Sequence, residues 1–196
     1  MQTHSPALSP QKSNLPPAAA SVERAQRRIG PVDMEVTTRA DAVRDILHAV
    51  RQRQPRVFAF CNMHTFNVAR RSPEVAAALG LATVYNDGIG IDIASRILHG
   101  TSFPENLNGT DLTPALLTAF DRPVAVYVLG GLPGVAVQAG AALAARFSNV
   151  RIVGTHDGYF SAADNNRIAD AIRQAHTELV LVGMGNPRQE LWAADM

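Results

Sequence analysis

Five short apolar segments, each followed directly by glycine or polar residues, constrain the fold of this chain more than any other feature. They are Val57–Cys61, Ala82–Tyr85, Val124–Leu129, Val150–Gly154 and Leu179–Gly183. Continuous apolar runs of this length are typical of strands that are buried on both faces of a parallel sheet. Segments with helical periodicity, each of about 10 residues, separate them. The pattern therefore predicts an α/β, Rossmann-like single domain: a mostly parallel sheet with helices on both faces.

Length and composition fit this prediction and exclude several classes of protein. The chain has 196 residues, of which 46% are hydrophobic and 18% are charged, which is enough for one domain with a sizeable core. A net charge of +1 does not favour nucleic acid as a partner. The only cysteine, Cys61, excludes an internal disulfide and a cysteine-based metal site. A reducing, cytoplasmic compartment follows.

The N-terminal region differs from the rest of the chain. Residues 1–35 are rich in Pro, Ser and Ala, which predicts a disordered tail, so we expect the folded core to comprise residues 36–196. No apolar run approaches the ~20 residues that a membrane span needs. The first residues also lack the basic start and apolar stretch of a secretory signal. Any action at a membrane would therefore be peripheral.

The loop Asn86–Gly90 is the first candidate functional site. It places an acidic residue, Asp87, between an apolar strand and two glycines that allow a sharp turn. Ligands of open parallel sheets bind beyond the carboxyl ends of the strands, so Asp87 is a candidate catalytic base. The alternative is that Asp87 only caps the helix that follows.

The loop Gly130–Gly134 resembles a phosphate-binding turn. Its glycines expose backbone N–H groups, Pro133 is expected as a first helical residue, and a helix N-terminus favours an anion. A tight strand–helix turn without a ligand is the alternative. The chain lacks both the spacing of a dinucleotide fingerprint and a Gly-Lys-Ser/Thr sequence, which disfavours NAD and P-loop binding.

The densest polar cluster follows the last apolar segment, at Asn186–Glu190. Arg188 could pair with a pyrophosphate, and Gln189 could hydrogen-bond a sugar or a leaving-group oxygen. Glu190, in a first helical turn, more often stabilises the helix end. In the middle of the chain, Thr110 or Asp111 is expected to cap a helix that begins at Leu112. The histidines form no metal-ligand pattern with a nearby carboxylate, so no metal site is predicted.

Six motifs in chain order resemble those of the WecG/TagA/CpsF glycosyltransferases (glycosyltransferase family 26). They are Asn62 with the helix after it, Asn86–Gly90, Asn108–Leu112, Gly130–Gly134, Asp157–Phe160 and Gly183–Glu190. The resemblance runs from about Thr37 to the end of the chain. It is specific because the motifs keep their order with plausible gaps.

This resemblance implies the transfer of a hexose or N-acetylhexosamine from a UDP-sugar to a polyprenyl-diphosphate-linked saccharide, with inversion and without a metal or other cofactor. The process would be the synthesis of a bacterial surface polysaccharide, at the inner face of the plasma membrane. The loop Phe103–Gly109 looks more like that of GumM-like exopolysaccharide members, which favours glucose. Family members commonly self-associate, so a homo-oligomer is possible.

The resemblance also implies roles for individual residues. Asp87 would be the base that deprotonates the acceptor hydroxyl, and Gln189 would lie beside it. The loop at Gly130–Gly134 and the last loop would hold the UDP moiety. The substrate-binding positions that the matching motifs imply are Asn62, Thr65, Asn86, Gly88, Gly109, Thr110, Asp111, Gly130, Gly131, Pro133, Asp157, Gly158, Tyr159, Gly185, Asn186, Pro187, Arg188 and Glu190.

The chain departs from the family pattern in two places. Phe60 stands where many members have a threonine, with Thr65 the nearest hydroxyl downstream. Members also usually continue past the Gln-Glu motif with a basic appendage that completes the UDP site and helps membrane docking, so we expect a truncated form. A nucleotide-sugar-binding or assembly protein with little catalytic activity is therefore the alternative function. Peripheral membrane association is expected only with such an extension.

Overall fold

A computed structural model describes residues 25–196, and the predicted disorder of residues 1–24 lies outside this range. The strands of the described part are β1 Gln26–Ile29, β2 Val32–Glu35, β3 Phe58–Cys61, β4 Thr83–Asn86, β5 Val124–Gly130, β6 Val150–His156 and β7 Leu179–Gly183. Its α-helices are α1 Arg39–Arg51, α2 Met63–Arg71, α3 Pro73–Gly80, α4 Ile89–His99, α5 Gly109–Ala119, α6 Val135–Arg146, α7 Asn165–Gln174 and α8 Arg188–Asp195. A 3-10 turn, Ala162–Asp164, precedes α7.

The strands after the first two pair in parallel, as the apolar runs predict. β3 pairs with β4, and β5 lies between β6 and β7. β5 is buried along its whole length, which explains why its sequence is continuously apolar.

The two groups of parallel strands run in the same direction. Arg53, before β3, lies within electrostatic range of Glu178, before β7. Cys61, at the end of β3, lies within electrostatic range of Glu190, which follows β7. The start of β3 is therefore near the start of β7, and the two ends are also near each other.

Helices cover both faces of this sheet, as predicted. One core cluster contains residues of α1, α5 and α6 and side chains from β3, β5 and β7, so it runs across both groups of strands. On the other face, Ile168 of α7 and Trp192 of α8 cover β5 and β7. Residues of α2, α3 and α4 cover β3 and β4. None of the helices between residues 25 and 196 is long and apolar enough to cross a membrane.

The predicted boundary between tail and core at residue 35 is wrong, because residues 26–35 form an antiparallel hairpin. Ile29, Val32 and Met34 are fully buried in the cluster with β4 and α3. Arg27 donates from Nη1 to the carbonyl of Ser102 at 2.6 Å, which ties the hairpin to the segment after α4. Composition averaged over the whole N-terminal region conceals these few apolar residues.

Several helix boundaries follow the sequence signals and two differ. Thr38 caps α1, and Gly100, in a left-handed conformation, ends α4; threonine and glycine are typical residues at these two positions. The cap of α5 is Asn108, whose Oδ1 accepts from the backbone N–H of Asp111 at 2.8 Å, and not Thr110 or Asp111. Pro133 is not the first residue of α6, because Gly134 adopts φ 88° and the helix begins at Val135.

Candidate active site

The loop after β4 is held rigidly at the carboxyl edge of the sheet. The backbone N–H of Asp87 donates to the carbonyl of Cys61 at 2.9 Å. Asn86 is buried, and its Nδ2 donates to the carbonyl of Glu105 at 2.9 Å. The N–H of Gly88 donates to Oδ1 of Asn106 at 2.7 Å. These contacts fix the backbone on both sides of Asp87.

The side chain of Asp87 does not serve this local structure. The N-cap of α4 is Gly88, at φ 87°, and no side chain caps the helix. Within residues 25–196, the half-buried carboxylate of Asp87 accepts no hydrogen bond. The capping alternative is therefore wrong, and Asp87 presents an uncommitted carboxylate beyond the strand.

The side chains of Asn62 and Thr65 have structural contacts at the end of β3. Oδ1 of Asn62 caps α2 by accepting from the N–H groups of His64 and Thr65, both at 3.0 Å. The hydroxyl of Thr65, a buried residue, lies 3.3 Å from the same oxygen. Both residues shape the first loop, and a direct role in binding substrate stays a prediction.

Three strand-end loops meet through their glycines. The N–H of Gly131 donates to the carbonyl of Gly183 at 3.0 Å, and the N–H of Gly158 donates to the carbonyl of Gly131 at 2.8 Å. A Cβ atom on Gly130 would lie 2.1 Å from the carbonyl oxygen of Gly183. Only glycine at position 130 permits this approach, which brings the ends of β5, β6 and β7 together.

A cavity of about 310 Å³ lies where these loops meet. Its volume is at the lower end of the range for small-molecule sites. Its lining residues are Gly131, Leu132, Gly158, Tyr159, Gly183, Met184 and Arg188. Pro133, next to this lining, is exposed.

Two side chains shape the polar part of this cavity. The guanidinium of Arg188 lies over the ring of Phe160, 4.8 Å from its centroid, and Nη2 also donates to the carbonyl of that residue. Oδ1 of Asp157 accepts from the N–H of Tyr159 at 2.8 Å and so forms the turn that carries the exposed tyrosine ring. The guanidinium of Arg188, held against Phe160, therefore borders a cavity whose lining includes three glycines.

The last loop contains buried polar atoms without partners. Oε1 of Gln189 accepts from the N–H of Gly185 at 3.2 Å, and its Nε2 donates to Oε1 of Glu190 at 2.9 Å. Pro187, joined to Asn186 by a cis peptide bond, precedes α8. Among the described residues, the side-chain amide of Asn186 and Oε2 of Glu190 have no hydrogen-bond partner. Buried polar groups are normally hydrogen-bonded, so these atoms suit a site that gains contacts on binding.

Cys61 connects the loop of Asp87 with the last loop. It is fully buried, and burial raises the pKa of its thiol to about 12, assisted by the nearby carboxylates of Asp87 and Glu190. Both carboxylates therefore lie close to the end of β3. The roles of Asp87 as the base and of Gln189 beside it stay predictions.

The segment Gly109–Asp111 has a more peripheral position. Gly109 lies against Phe60, whose ring would be 3.2 Å from an added Cβ. Thr110 and Asp111 are exposed at the start of α5. Asp111 also pairs with Arg39 at 3.7 Å. These contacts connect α5 to β3 and α1, and their role in substrate binding stays a prediction.

Sequence reasoning missed the residues that position the Asp87 loop. Asn106 and Glu105 hold it, and Oε2 of Glu105 also accepts from the N–H of Arg39 at 2.9 Å. They were missed because they follow a helix and not a strand. The cluster of Pro104, Asn106 and Asn108 was the available signal, since such residues bond to nearby backbone.

The buried state of Cys61 gives a direct prediction. We expect iodoacetamide at pH 8 to alkylate Cys61 no faster than the folded protein opens around it, because the thiol is inaccessible and protonated. Folding raises the pKa of the Cys61 thiol from 9.0 to about 12, so the unfolded protein loses this proton at a lower pH than the folded protein does. The stabilisation from the protonated thiol is therefore fully present below pH 9 and is lost as the pH rises through 12. Mass spectrometry of labelled protein, with and without urea, checks the first expectation. Fast labelling without urea contradicts it.

The match to a known family covers almost the whole described domain. The sequence model of the glycosyl transferase WecG/TagA/CpsF family matches residues 27–196. The match begins inside the hairpin, in agreement with the structural boundary of the core. It also contains every strand-end loop of the candidate site. This chain belongs to the WecG/TagA/CpsF family of glycosyltransferases.

Proposed function

We propose that this protein transfers a hexose or N-acetylhexosamine from a UDP-sugar to a polyprenyl-diphosphate-linked saccharide, with inversion, in the synthesis of a bacterial surface polysaccharide. Membership of the family implies a nucleotide-sugar donor and a saccharide acceptor. The observation that carries the mechanism is the uncommitted carboxylate of Asp87 at the carboxyl edge of the sheet. It lies where open parallel sheets bind their ligands.

Asp87 acts as the general base in this proposal. Its carboxylate takes the proton of the acceptor hydroxyl as that oxygen attacks the anomeric carbon of the donor sugar. The new C–O bond forms on the face opposite the leaving group. The bond between the anomeric carbon and the diphosphate oxygen breaks, and its electron pair leaves with UDP.

The departing diphosphate gains negative charge, and the glycine-lined cavity offers groups that stabilise it. Arg188 supplies a fixed positive charge there. The same residue begins α8, and a helix N-terminus adds backbone N–H donors. Such preorganised donors lower the barrier because they need no rearrangement as charge develops.

The exposed face of α4 supports a lipid-linked acceptor. Ile89, Ile93 and Ile97 are spaced by four residues, and Ile89 and Ile97 are 75% and 77% exposed. Such spacing places them on one side of the helix. Ile89 lies two residues from Asp87, so this apolar stripe begins beside the candidate base. It could contact the polyprenyl chain or the membrane surface that holds it.

A transfer assay tests the proposed function. We would incubate the protein with UDP-glucose, UDP-N-acetylmannosamine and UDP-N-acetylmannosaminuronic acid, each with polyprenyl-diphosphate saccharides in detergent. We expect turnover with one donor and an inverted anomeric configuration in the product by NMR. UDP binding without transfer supports a binding protein instead, and retention of configuration contradicts the role of Asp87.

Arg188 gives a separate prediction about donor binding. We expect Arg188→Ala to weaken UDP binding roughly tenfold or more, because a charge-assisted bond to phosphate contributes about 1.5–3 kcal/mol. Calorimetry with UDP measures the change. Arg44→Ala, which removes an exposed arginine of α1 that pairs with Asp41, is the matched control and should bind normally. Equal affinity of both variants would show that Arg188 does not contact the diphosphate.

A further inference from the structure

Arg188, the arginine that borders the small cavity, is held by two groups of one residue. Its Cζ lies 4.8 Å from the centroid of the Phe160 ring, and its Nη2 donates to the carbonyl of Phe160. Within residues 25–196 it donates no other hydrogen bond. A guanidinium presents a fork of N–H donors, so those not bound to the Phe160 carbonyl stay available to a ligand.

Arg188 is held in a different way from several helical arginines. Arg44, Arg167 and Arg173 each pair with an aspartate three residues earlier in the chain. No carboxylate in the described part of the chain forms an ion pair with Arg188. A carboxylate neutralises a guanidinium, whereas an aromatic face attracts it without cancelling its charge. Arg188 therefore keeps its positive charge for an anionic ligand.

The ring of Phe160 is itself fixed, so it can fix the arginine. The ring of His156 meets it at 88°, with the two centroids 5.5 Å apart. Such edge-to-face contacts are a preferred arrangement of aromatic rings. Phe160 also packs against the buried cluster of Tyr127, Leu129, Ile168 and Trp192. The aromatic face under Arg188 therefore belongs to a packed cluster.

The backbone before Phe160 is tied to the lining of the small cavity. The N–H of Gly158 donates to the carbonyl of Gly131 at 2.8 Å. Oδ1 of Asp157 accepts from the N–H of Tyr159 at 2.8 Å, which sets the turn that leads into Phe160. Both Gly131 and Gly158 line the cavity. The ring of Phe160 therefore has a set position relative to the cavity.

An arginine that is held before a ligand arrives loses less freedom on binding. A free arginine side chain has many rotamers, and the loss of that freedom opposes binding. The contacts with Phe160 restrict the side chain of Arg188 beforehand. They also set the direction of the remaining N–H donors, on which a bidentate contact with phosphate oxygens depends.

We propose that Phe160 is a positioning residue for the diphosphate of the nucleotide-sugar donor. Its ring and its carbonyl hold the guanidinium of Arg188 beside the small cavity, and the ring leaves the positive charge of that guanidinium uncancelled. Phe160 makes no contact with the diphosphate itself and acts through Arg188. This inference rests on the proposed function, in which Arg188 binds the diphosphate of UDP.

A double-mutant cycle with UDP tests this role. Calorimetry would compare the wild type, Phe160→Leu, Arg188→Ala and the double variant. Leucine keeps apolar packing but has no aromatic face. We expect Phe160→Leu to weaken UDP binding roughly threefold to tenfold, and to change the affinity little when residue 188 is already alanine. Binding of uridine, which has no phosphate, should not respond to Phe160→Leu.

Phe147→Leu is the matched control, because it makes the same change beneath another arginine. Cζ of Arg146 lies 5.2 Å from the centroid of the Phe147 ring, at the end of α6 and at the edge of the sheet away from the cavity. Phe147 is buried, whereas Phe160 is half-buried, so the control should lose at least as much stability in urea. Its affinity for UDP should equal that of the wild type.

NMR measures the contact between ring and guanidinium without any ligand. We expect the Nε–H proton signal of Arg188, assigned by its loss in Arg188→Ala, to lie upfield of the other arginine signals. The reason is that an aromatic face shields the protons above it. Phe160→Leu should return this signal to the range of the others, and Phe147→Leu should not move it.

Three results would overturn the inference and leave the proposed function intact. Phe160→Leu binds UDP as tightly as the wild type does, while Arg188→Ala binds it weakly. Phe160→Leu weakens UDP equally with and without Arg188, or weakens uridine to the same extent, so that the ring supports the fold or the base. The Arg188 signal does not respond to Phe160→Leu. A wild type that binds no UDP would contradict the proposed function as well, which distinguishes the two failures.

Discussion

We expect Asp87→Asn to lower the rate of sugar transfer by roughly 10²–10⁴-fold, which is the usual contribution of a general base. An amide has nearly the same shape as a carboxylate but cannot take the proton of the acceptor hydroxyl. Within the described residues the carboxylate accepts no hydrogen bond, and the backbone of its loop is fixed by Asn86 and Asn106. The substitution should therefore leave the fold and the affinity for UDP unchanged.

The matched control for this variant is Asp121→Asn. Asp121 is exposed before β5, at the opposite edge of the sheet, and pairs with Arg51 at 2.9 Å. An exposed ion pair of this kind is worth about 0–1 kcal/mol, so we expect normal transfer. Rates, UDP calorimetry and urea unfolding of the three proteins distinguish a chemical defect from a folding defect. Equal transfer rates for Asp87→Asn and the wild type would remove Asp87 from the mechanism.

Gly130→Ala should damage both stability and donor binding. Its new methyl group would lie 2.1 Å from the backbone oxygen of Gly183, and φ at this position is 142°. Alanine rarely adopts such a conformation, and no side-chain movement relieves a contact with backbone. We expect the free energy of unfolding to fall by roughly 3 kcal/mol or more. UDP affinity should fall as well, because the loops that line the small cavity must separate.

Gly80→Ala is the control for this effect. Gly80 ends α3, and nothing lies within 4 Å of an added Cβ atom. We expect its stability to be unchanged or slightly higher, since alanine favours helix by up to about 1 kcal/mol relative to glycine. Urea unfolding and UDP calorimetry measure both variants. Wild-type stability and affinity in Gly130→Ala would show that the loops move apart easily.

The sequence predicted the sheet well because its signals are local. An apolar run such as Val124–Leu129 is buried on both faces and has no other simple interpretation. Caps such as Thr38 and Gly100 depend on contacts within a few residues. The position of Asp87 could be predicted because it directly follows an apolar strand, and the carboxyl ends of parallel strands share one edge of the sheet.

Contacts between distant segments could not be predicted in this way. Glu105 and Asn106 reach the Asp87 loop from the other end of α4, and no spacing in the sequence indicates that approach. The close contact of Gly130 with Gly183 likewise depends on how β5 and β7 pair. Composition misled at the hairpin, because proline and alanine upstream outweighed three buried residues.

The hairpin also sets how far the chain can be shortened from its N-terminus. A version that starts at residue 36 would lack Ile29, Val32 and Met34 and would uncover the apolar surface formed by Val84 and Val75. It would also lose the bonds from Arg27 that hold the end of α4, the helix that begins beside Asp87. For expression, crystallisation or domain grafting, the smallest usable unit therefore begins before Gln26.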